Sequence, residues 1–225
     1  MKYLTILSVS LCLSAIIHTA SAQFMHQRDF KPITTQDYTN IDGTPYLYDT
    51  WQQGSVILVN GVSSKEKMSL KYNLVDDVVS FKDKESGEEM AFVVPVQEFT
   101  LNLNNDDELF VRRFRSGYKN IEGSTPASFF EVLSDGKIQL IKKFNKVVFE
   151  SQNIGSASKT KSFMEKSKYY LVNNGKALPV KNDKKSLLAG LGDKQAQLED
   201  YIKSNKISFK SDTQLGKLVD YYNSL

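Results

Sequence analysis

Tyr46, Tyr48 and Trp51 form the densest aromatic cluster in the sequence. On an extended segment Tyr46 and Tyr48 share one face, as rings that stack on sugars do. The same rings can equally cover the edge of a core. Arg112, Arg113 and Arg115 are three of only four arginines. On a strand Arg113 and Arg115 point to one face, where they suit a phosphate or carboxylate or the acidic neighbours of an antiparallel sheet. Tyr46, Tyr48, Trp51, Arg113 and Arg115 are therefore the candidate ligand surface. Asn104, Asn105, Asp106, Asp107 and Glu108 offer oxygens to calcium, but without the spacing of a dedicated loop. A hairpin tip between Leu103 and Leu109 accounts for them as well. Asp49, Asp76, Asp77 and Glu98 are available for paired-carboxylate glycan hydrolysis, which needs two acids about 5–10 Å apart in a cleft. Nothing in the sequence pairs them.

The rest of the chemical inventory is short, because of how the chain begins. Lys2 is a positive n-region, Leu4 to Ile17 an apolar run, and Ala20-Ser21-Ala22 a small-x-small cleavage site. Residues 1–22 read as a secretory signal peptide. The run is shorter than the ~20 residues that span a bilayer. Cys12 follows bulky Leu11 inside it, so it reads as a hydrophobe of the signal and not as a lipid-attachment site. Cleavage leaves 203 residues with no cysteine and one histidine, His26. That removes disulfides, Cys/His metal centres and His-based triads. No phosphate-binding glycine loop or HExxH is present. No cofactor is expected. Carboxylate, lysine or serine chemistry survives, or none.

Charge is uneven along the mature chain. Residues 23–158 carry 15 basic and 19 acidic side chains, whereas residues 159–225 carry 13 lysines, no arginine and 7 acids. The C-terminal lysines either form a solvated face or touch anionic lipid or polysaccharide weakly. Nucleic acid is not an expected partner of an exported chain.

The elements that must position these residues follow from periodicity. Residues 23–42 read as an extended lead-in, 43–182 as an antiparallel β domain and 183–225 as a helical subdomain docked on it. Met68, Leu70, Tyr72 and Leu74 alternate with polar residues, as do Val79 and Phe81. Asn60-Gly61, Ser134-Asp135-Gly136 and Asn173-Asn174-Gly175 mark hairpins. The parity slip between Val96 and Phe99, near Pro95, predicts a bulge or corner. Roughly nine or ten strands, in a sandwich or meander, precede two or three short helices. Leu187, Leu188 and Leu191 stripe the first helix, Asp193 is placed to cap the second, and Ser211 to Gln214 is a capping-box pattern for the last. Short strands, charges on both faces and the helical end argue against an outer-membrane barrel.

Gly43-Thr44-Pro45-Tyr46-Leu47 with Trp51, Ser134 to Leu140, Lys184 to Leu188, Tyr201-Ile202-Lys203 and Leu218 to Asn223 together resemble a group of uncharacterised exported proteins of the Bacteroidota. The resemblance implies an envelope location in a Gram-negative cell, periplasmic first and surface-exposed or extracellular second. It implies no activity. The expectation is a non-enzymatic binding or interaction protein of the envelope, with an unknown protein or glycan as partner. The alternative is a carboxylate-dependent envelope enzyme.

Overall fold

A computed structural model of the chain describes residues 30–32, 38–64, 66–105, 108–152 and 159–225. The expected signal peptide and His26 lie outside the described residues. The strands are β1 (Phe30–Pro32), β2 (Ile41–Asp42), β3 (Gln52–Gly54), β4 (Val56–Leu58), β5 (Met68–Asn73), β6 (Val78–Lys82), β7 (Glu89–Phe92), β8 (Val96–Asn105), β9 (Glu108–Arg115), β10 (Phe130–Asp135), β11 (Ile138–Gln152), β12 (Lys159–Asn173) and β13 (Lys176–Val180). Three helices follow: α1 (Lys184–Leu191), α2 (Gln195–Ser204) and α3 (Asp212–Ser224).

The fold is mainly β with C-terminal helices, as the alternation predicts. The strands form one sheet in the order β1-β7-β6-β5-β3-β8-β9-β10-β11-β12-β13, with β4 on β8 and β2 on β12. Thirteen strands among the described residues replace the nine or ten expected, because β1 to β3 are two or three residues long and too short for a period-two signal. Every pairing is antiparallel except β2 against β12, which is parallel. The slip near Pro95 is a register shift: Ile57 pairs with Glu98 and Leu58 with Val96, leaving Gln97 as the extra residue. Val96 and Phe99 can then both face inward.

The sheet curls so that one face encloses a first core. Val56, Leu58, Leu70, Tyr72, Phe99, Phe114, Phe129 and Phe144 are all buried there. Phe99 stacks on Phe114 at 4.8 Å, and both Tyr72 and Phe129 pack against Phe99 edge-on. The curl is fixed where the Lys146 amide donates to the Leu74 carbonyl at 3.1 Å, bringing mid-β11 onto the end of β5.

The helices cover the same sheet face farther along, over β10 to β13. Ile138, Leu140, Tyr169 and Leu171 meet Leu187, Leu191, Leu198, Leu215, Leu218 and Val219 in a second core. Asp183 caps α1 through the Ser186 amide, and Ser211 caps α3 through the Gln214 amide. Asp193, expected to cap α2, accepts from the Tyr222 hydroxyl at 2.6 Å instead. Lys194 stands at that N-cap with a left-handed backbone and no side-chain bond. Helix α3 comes closest to the sheet at Gly216, where an added Cβ would overlap the Leu133 carbonyl oxygen. Leu133 lies at the register irregularity of β10 against β11. Asn223 completes the docking by bonding both the amide and the carbonyl of Ile138, at 2.9 and 2.8 Å.

On the opposite face of β10 to β12, Ile121, Phe130, Ile141, Tyr170 and Val172 form a third, smaller core.

Candidate functional site

The aromatic cluster does not form one platform. Residues 43–51 form no strand beyond a single bridge from Tyr46 to Asn73, so period-two facing does not apply there. Tyr46 turns to the outer face of β5 to β7. Its hydroxyl donates to Glu89, which also accepts from Ser80 at 2.5 Å. Burial, followed by the Glu89 charge, pushes that hydroxyl up to about 12. Trp51 lies beside it, and the Lys71 ammonium sits 4.6 Å from the Tyr46 ring and 5.1 Å from the Trp51 ring. The two rings thus already hold a cation of the chain itself. Tyr48 packs instead on the first core, and its hydroxyl accepts from Arg112 at 2.6 Å.

Arg113 and Arg115 do share a face, but acids of the sheet occupy them. Arg115 bonds Glu98 at 2.8 Å and Asp135 at 2.9 and 2.7 Å, and Arg113 reaches the same Asp135 at 3.2 Å. Arg115 holds the Asp135 carboxyl below the usual carboxylate range. Two cations and two acids neutralise one another, which leaves no free guanidinium fork for a ligand.

The carboxylates are similarly engaged. Asp77 accepts from the Tyr72 hydroxyl at 2.5 Å and from Lys143 at 2.6 Å. Burial holds the Lys143 ammonium below its ordinary value despite Asp77. Asp76 accepts from Tyr38 and Asn73. Asp49 is exposed. Strands β8 and β9 pair out to Asn105 opposite Glu108, so the proposed calcium segment is a hairpin tip. Asp106, Asp107 and the side chains beside them lie outside the described residues. Among the described residues no group of three acids, histidines or cysteines is placed to hold a metal.

One polar arrangement has no counterpart in the sequence reading. Arg112 bonds Glu131 through two nitrogens, at 2.5 and 2.7 Å. Glu131 pairs across the sheet with Lys142, and Lys142 with Tyr169. The Lys142 ammonium and the Tyr169 hydroxyl both bind the Asp212 carboxylate, at 2.6 and 2.7 Å. This row runs across β9, β10, β11 and β12 to the first turn of α3. Phe144 lies on one side of it and Leu140 on the other, so it is the seam between the first and second cores. Burial disfavours the Lys142 charge, but Asp212 and Tyr169 more than restore it. The seam is internal and fully partnered, and it works as structure.

Several concave places remain among the described residues, including one of about 530 Å³ beside Leu178, Gly190 and Tyr222. A cavity of about 350 Å³ is lined by Tyr118, Lys119, Lys137, Gln139, Asn174 and Ala177. Its Tyr118 hydroxyl is buried without a hydrogen-bond partner. Burial raises it, with the Arg115 charge nearby acting the other way. Another cavity of about 250 Å³ opens where β9 and β10 part beyond Arg113 and Val132. These strands pair at only two positions.

The largest departure from a packed fold is convex. Strands β11 and β12 are 15 residues each and pair throughout, from Ile138 opposite Asn173 to Gln152 opposite Lys159. Their inner halves are buried, but residues 145–152 and 159–168 are mostly exposed. They form a two-stranded ribbon that projects about 25 Å at ~3.4 Å per residue. On one face Val147, Phe149 and Met164 adjoin, with Phe149 48% and Met164 37% exposed. Lys166 and Lys168 follow on that face, and neither has an ion-pair partner among the described residues. The other face carries Val148, Phe163 and the Glu150–Lys159 pair. There Tyr38 packs edge-on against Phe163 at 5.4 Å, and β2 adds to the β12 edge.

The chain matches no family model, no curated protein and no solved structure. No helix among the described residues is long and apolar enough to cross a membrane.

Proposed function

We propose that the chain is an exported envelope protein that acts by binding, with the β11–β12 ribbon as its contact element. The observation that carries this reading is the apolar patch of exposed Phe149 and Met164 beside half-buried Val147, on a ribbon that the fold otherwise braces. Single exposed apolar residues are ordinary, but adjoining ones on a projecting element mark an interaction surface. The polar clusters support the reading from the other side. Arg113, Arg115, Asp77 and the buried seam are committed to partners inside the chain. The signal-peptide reading of residues 1–22 and the resemblance to exported Bacteroidota proteins support a contact in the periplasm or at the cell surface of a Gram-negative cell.

The test is site-specific photo-crosslinking in the source cells. A photoreactive residue at position 149 should yield a reproducible adduct, and the same residue at exposed Lys84 should yield none. Identical patterns at the two positions, or none at either, would end the proposal. N-terminal sequencing of the periplasmic fraction should find a chain beginning at Gln23. A chain retaining residues 1–22 would remove the export half of the reading.

A further inference from the structure

Resting on the ribbon as the contact element, we infer that its partner is the anionic surface of a lipid bilayer, on which the face bearing Val147, Phe149 and Met164 lies.

The argument is one of matched spacing. Met164 is paired with Val147, and Phe149 lies one rung beyond, opposite Ser162. Toward the body of the protein the next rungs on that face are Asn145 with Lys166 and Lys143 with Lys168. Lys143 is taken by Asp77, but Lys166 and Lys168 are exposed. At ~3.4 Å per residue their Cα atoms lie about 7 and 14 Å behind Met164. Interfacial segments bury their apolar side ~5–10 Å into the headgroup boundary and keep flanking lysines among the phosphates. With that face against the bilayer, Phe149 and Met164 enter the boundary while the long side chains of Lys166 and Lys168 carry their ammonium groups to the headgroups. No carboxylate stands on the face between them: the outer rungs bring only Ser162, Ser151 and Thr160. Glu150 and Glu165 point to the opposite face, where Glu150 is paired with Lys159. The face with Phe149, Met164, Lys166 and Lys168 is thus free of acids, while the acids and the braces lie on the other face together with exposed Val148 and Lys161. An acid-free face that combines apolar side chains with unpaired lysines suits an anionic bilayer surface.

The balance of charge in the sequence acquires a location from this. Of the thirteen lysines in residues 159–225, Lys159, Lys161, Lys166 and Lys168 belong to the ribbon and not to the helices. The contact is therefore both apolar and electrostatic, with shallow insertion beside the headgroups.

The experiment is co-sedimentation of the mature protein with vesicles of phosphatidylcholine alone and with about one-third phosphatidylglycerol. The inference requires binding to the anionic vesicles at low salt that weakens several-fold at 0.5 M salt without vanishing, since screening removes only the charge part. Lys166→Gln with Lys168→Gln should weaken binding about 25-fold, at roughly fivefold per lysine near the surface. Phe149→Ser should weaken it about tenfold through lost apolar burial. Both variants should keep the wild-type circular dichroism and urea midpoint, because the side chains are exposed. In a Trp51→Phe background, Phe149→Trp should shift its emission to the blue on anionic vesicles and be quenched by brominated acyl chains. Equal binding to both vesicle types, no binding at low salt, or a Phe149→Ser variant that binds like wild type would overturn the inference. If vesicles fail while the crosslinker at 149 captures a protein or glycan, the lipid partner is wrong and the binding role stands. If both fail, both readings fall.

Discussion

Replacing Glu131 by leucine should destabilise the fold by about 3–5 kcal/mol, the usual cost of stranding the partner of a buried ion pair. The loss comes from what is left behind. The Arg112 and Glu131 side chains are 11% and 4% exposed, so neither can turn to water. Burial by itself disfavours the guanidinium charge, and the carboxylate more than restores it. Without Glu131 the guanidinium keeps the Tyr48 hydroxyl and the faces of Phe114 and Phe144, 5.4 and 5.0 Å away. A neutral oxygen and two rings offset about 1–2 kcal/mol, against a desolvation penalty of several kcal/mol. Removing both charges should be far milder. Arg112→Met with Glu131→Leu is expected within about 1 kcal/mol of wild type, since an apolar pair of similar volume needs no solvation. The two changes are then non-additive by at least ~2 kcal/mol. Urea unfolding followed by Trp51 emission and far-UV dichroism reads this directly, as a midpoint shift at constant slope. A loss below about 1 kcal/mol for the single variant, or a double variant no better than the single, would refute the dependence of Arg112 on Glu131.

Two further outcomes follow from the packing and the protonation of the sheet. In an exposed helix Gly→Ala stabilises by about 1 kcal/mol, but at Gly216 the added carbon meets the Leu133 backbone, so Gly216→Ala should destabilise by roughly 1–3 kcal/mol net; a raised urea midpoint would show that α3 does not dock there. Alkaline pH should unfold the protein progressively from pH 10: burial with Glu89 raises the Tyr46 hydroxyl to about 12, and burial with Asp77 raises Tyr72 well above its ordinary value. A raised folded value means the folded state holds protons that the unfolded state has released. That contribution is complete below pH 10 and lost above it, and the half-exposed Tyr46 accounts for only about 1 kcal/mol after solvent screening. Lys143, lowered by burial, acts in the opposite sense just below the ordinary lysine value. Urea midpoints at pH 9 and pH 11.5 that agree within error would contradict the scheme, and Tyr72→Phe should flatten the decline.

Much of the sheet is legible because its cause is local. Leu70 and Tyr72 alternate with Lys71, and Asn174 with Gly175 supplies the left-handed pair, at φ 49° and 75°, that a two-residue hairpin needs. The slip between Val96 and Phe99 marks a real irregularity. What fails is whatever depends on distant partners. Tyr46 and Tyr48 separate because Leu47 donates to the Tyr72 carbonyl and Leu74 to the Pro45 carbonyl, which holds the segment out of regular extension. That acids of the sheet would take Arg113 and Arg115 was legible, but not which acid, since Asp135 lies some 20 residues on. The seam did leave a trace. Arg112 between Phe110 and Phe114, and Lys142 between Leu140 and Phe144, are charges at inward parity in otherwise apolar rows. Parity shows that such a charge needs a partner, but Asp212 lies 70 residues from Lys142 and no local pattern names it.

The ribbon is where the fold departs furthest from what stability alone asks. A two-stranded ribbon is marginal in water, and this one carries Phe149 and Met164 into solvent. Its root is nevertheless held firmly. The Lys146 ammonium binds the Thr44 and Tyr46 carbonyls at 3.0 and 2.6 Å, the Lys146 amide binds Leu74, and β2 lies along β12. Tyr38 covers Phe163. Each of these braces touches an edge of the ribbon or the face that bears Lys146 and Phe163, and none covers Val147, Phe149 or Met164. Were the apolar residues present only to stiffen the arm, bracing them would serve stability best, since covering ~100 Å² is worth about 2.5 kcal/mol. The arrangement instead fixes the arm from behind and leaves its apolar, lysine-flanked face open. A surface held still before it meets its partner loses less ordering entropy on contact, and that is the physical sense in which this ribbon is built to bind.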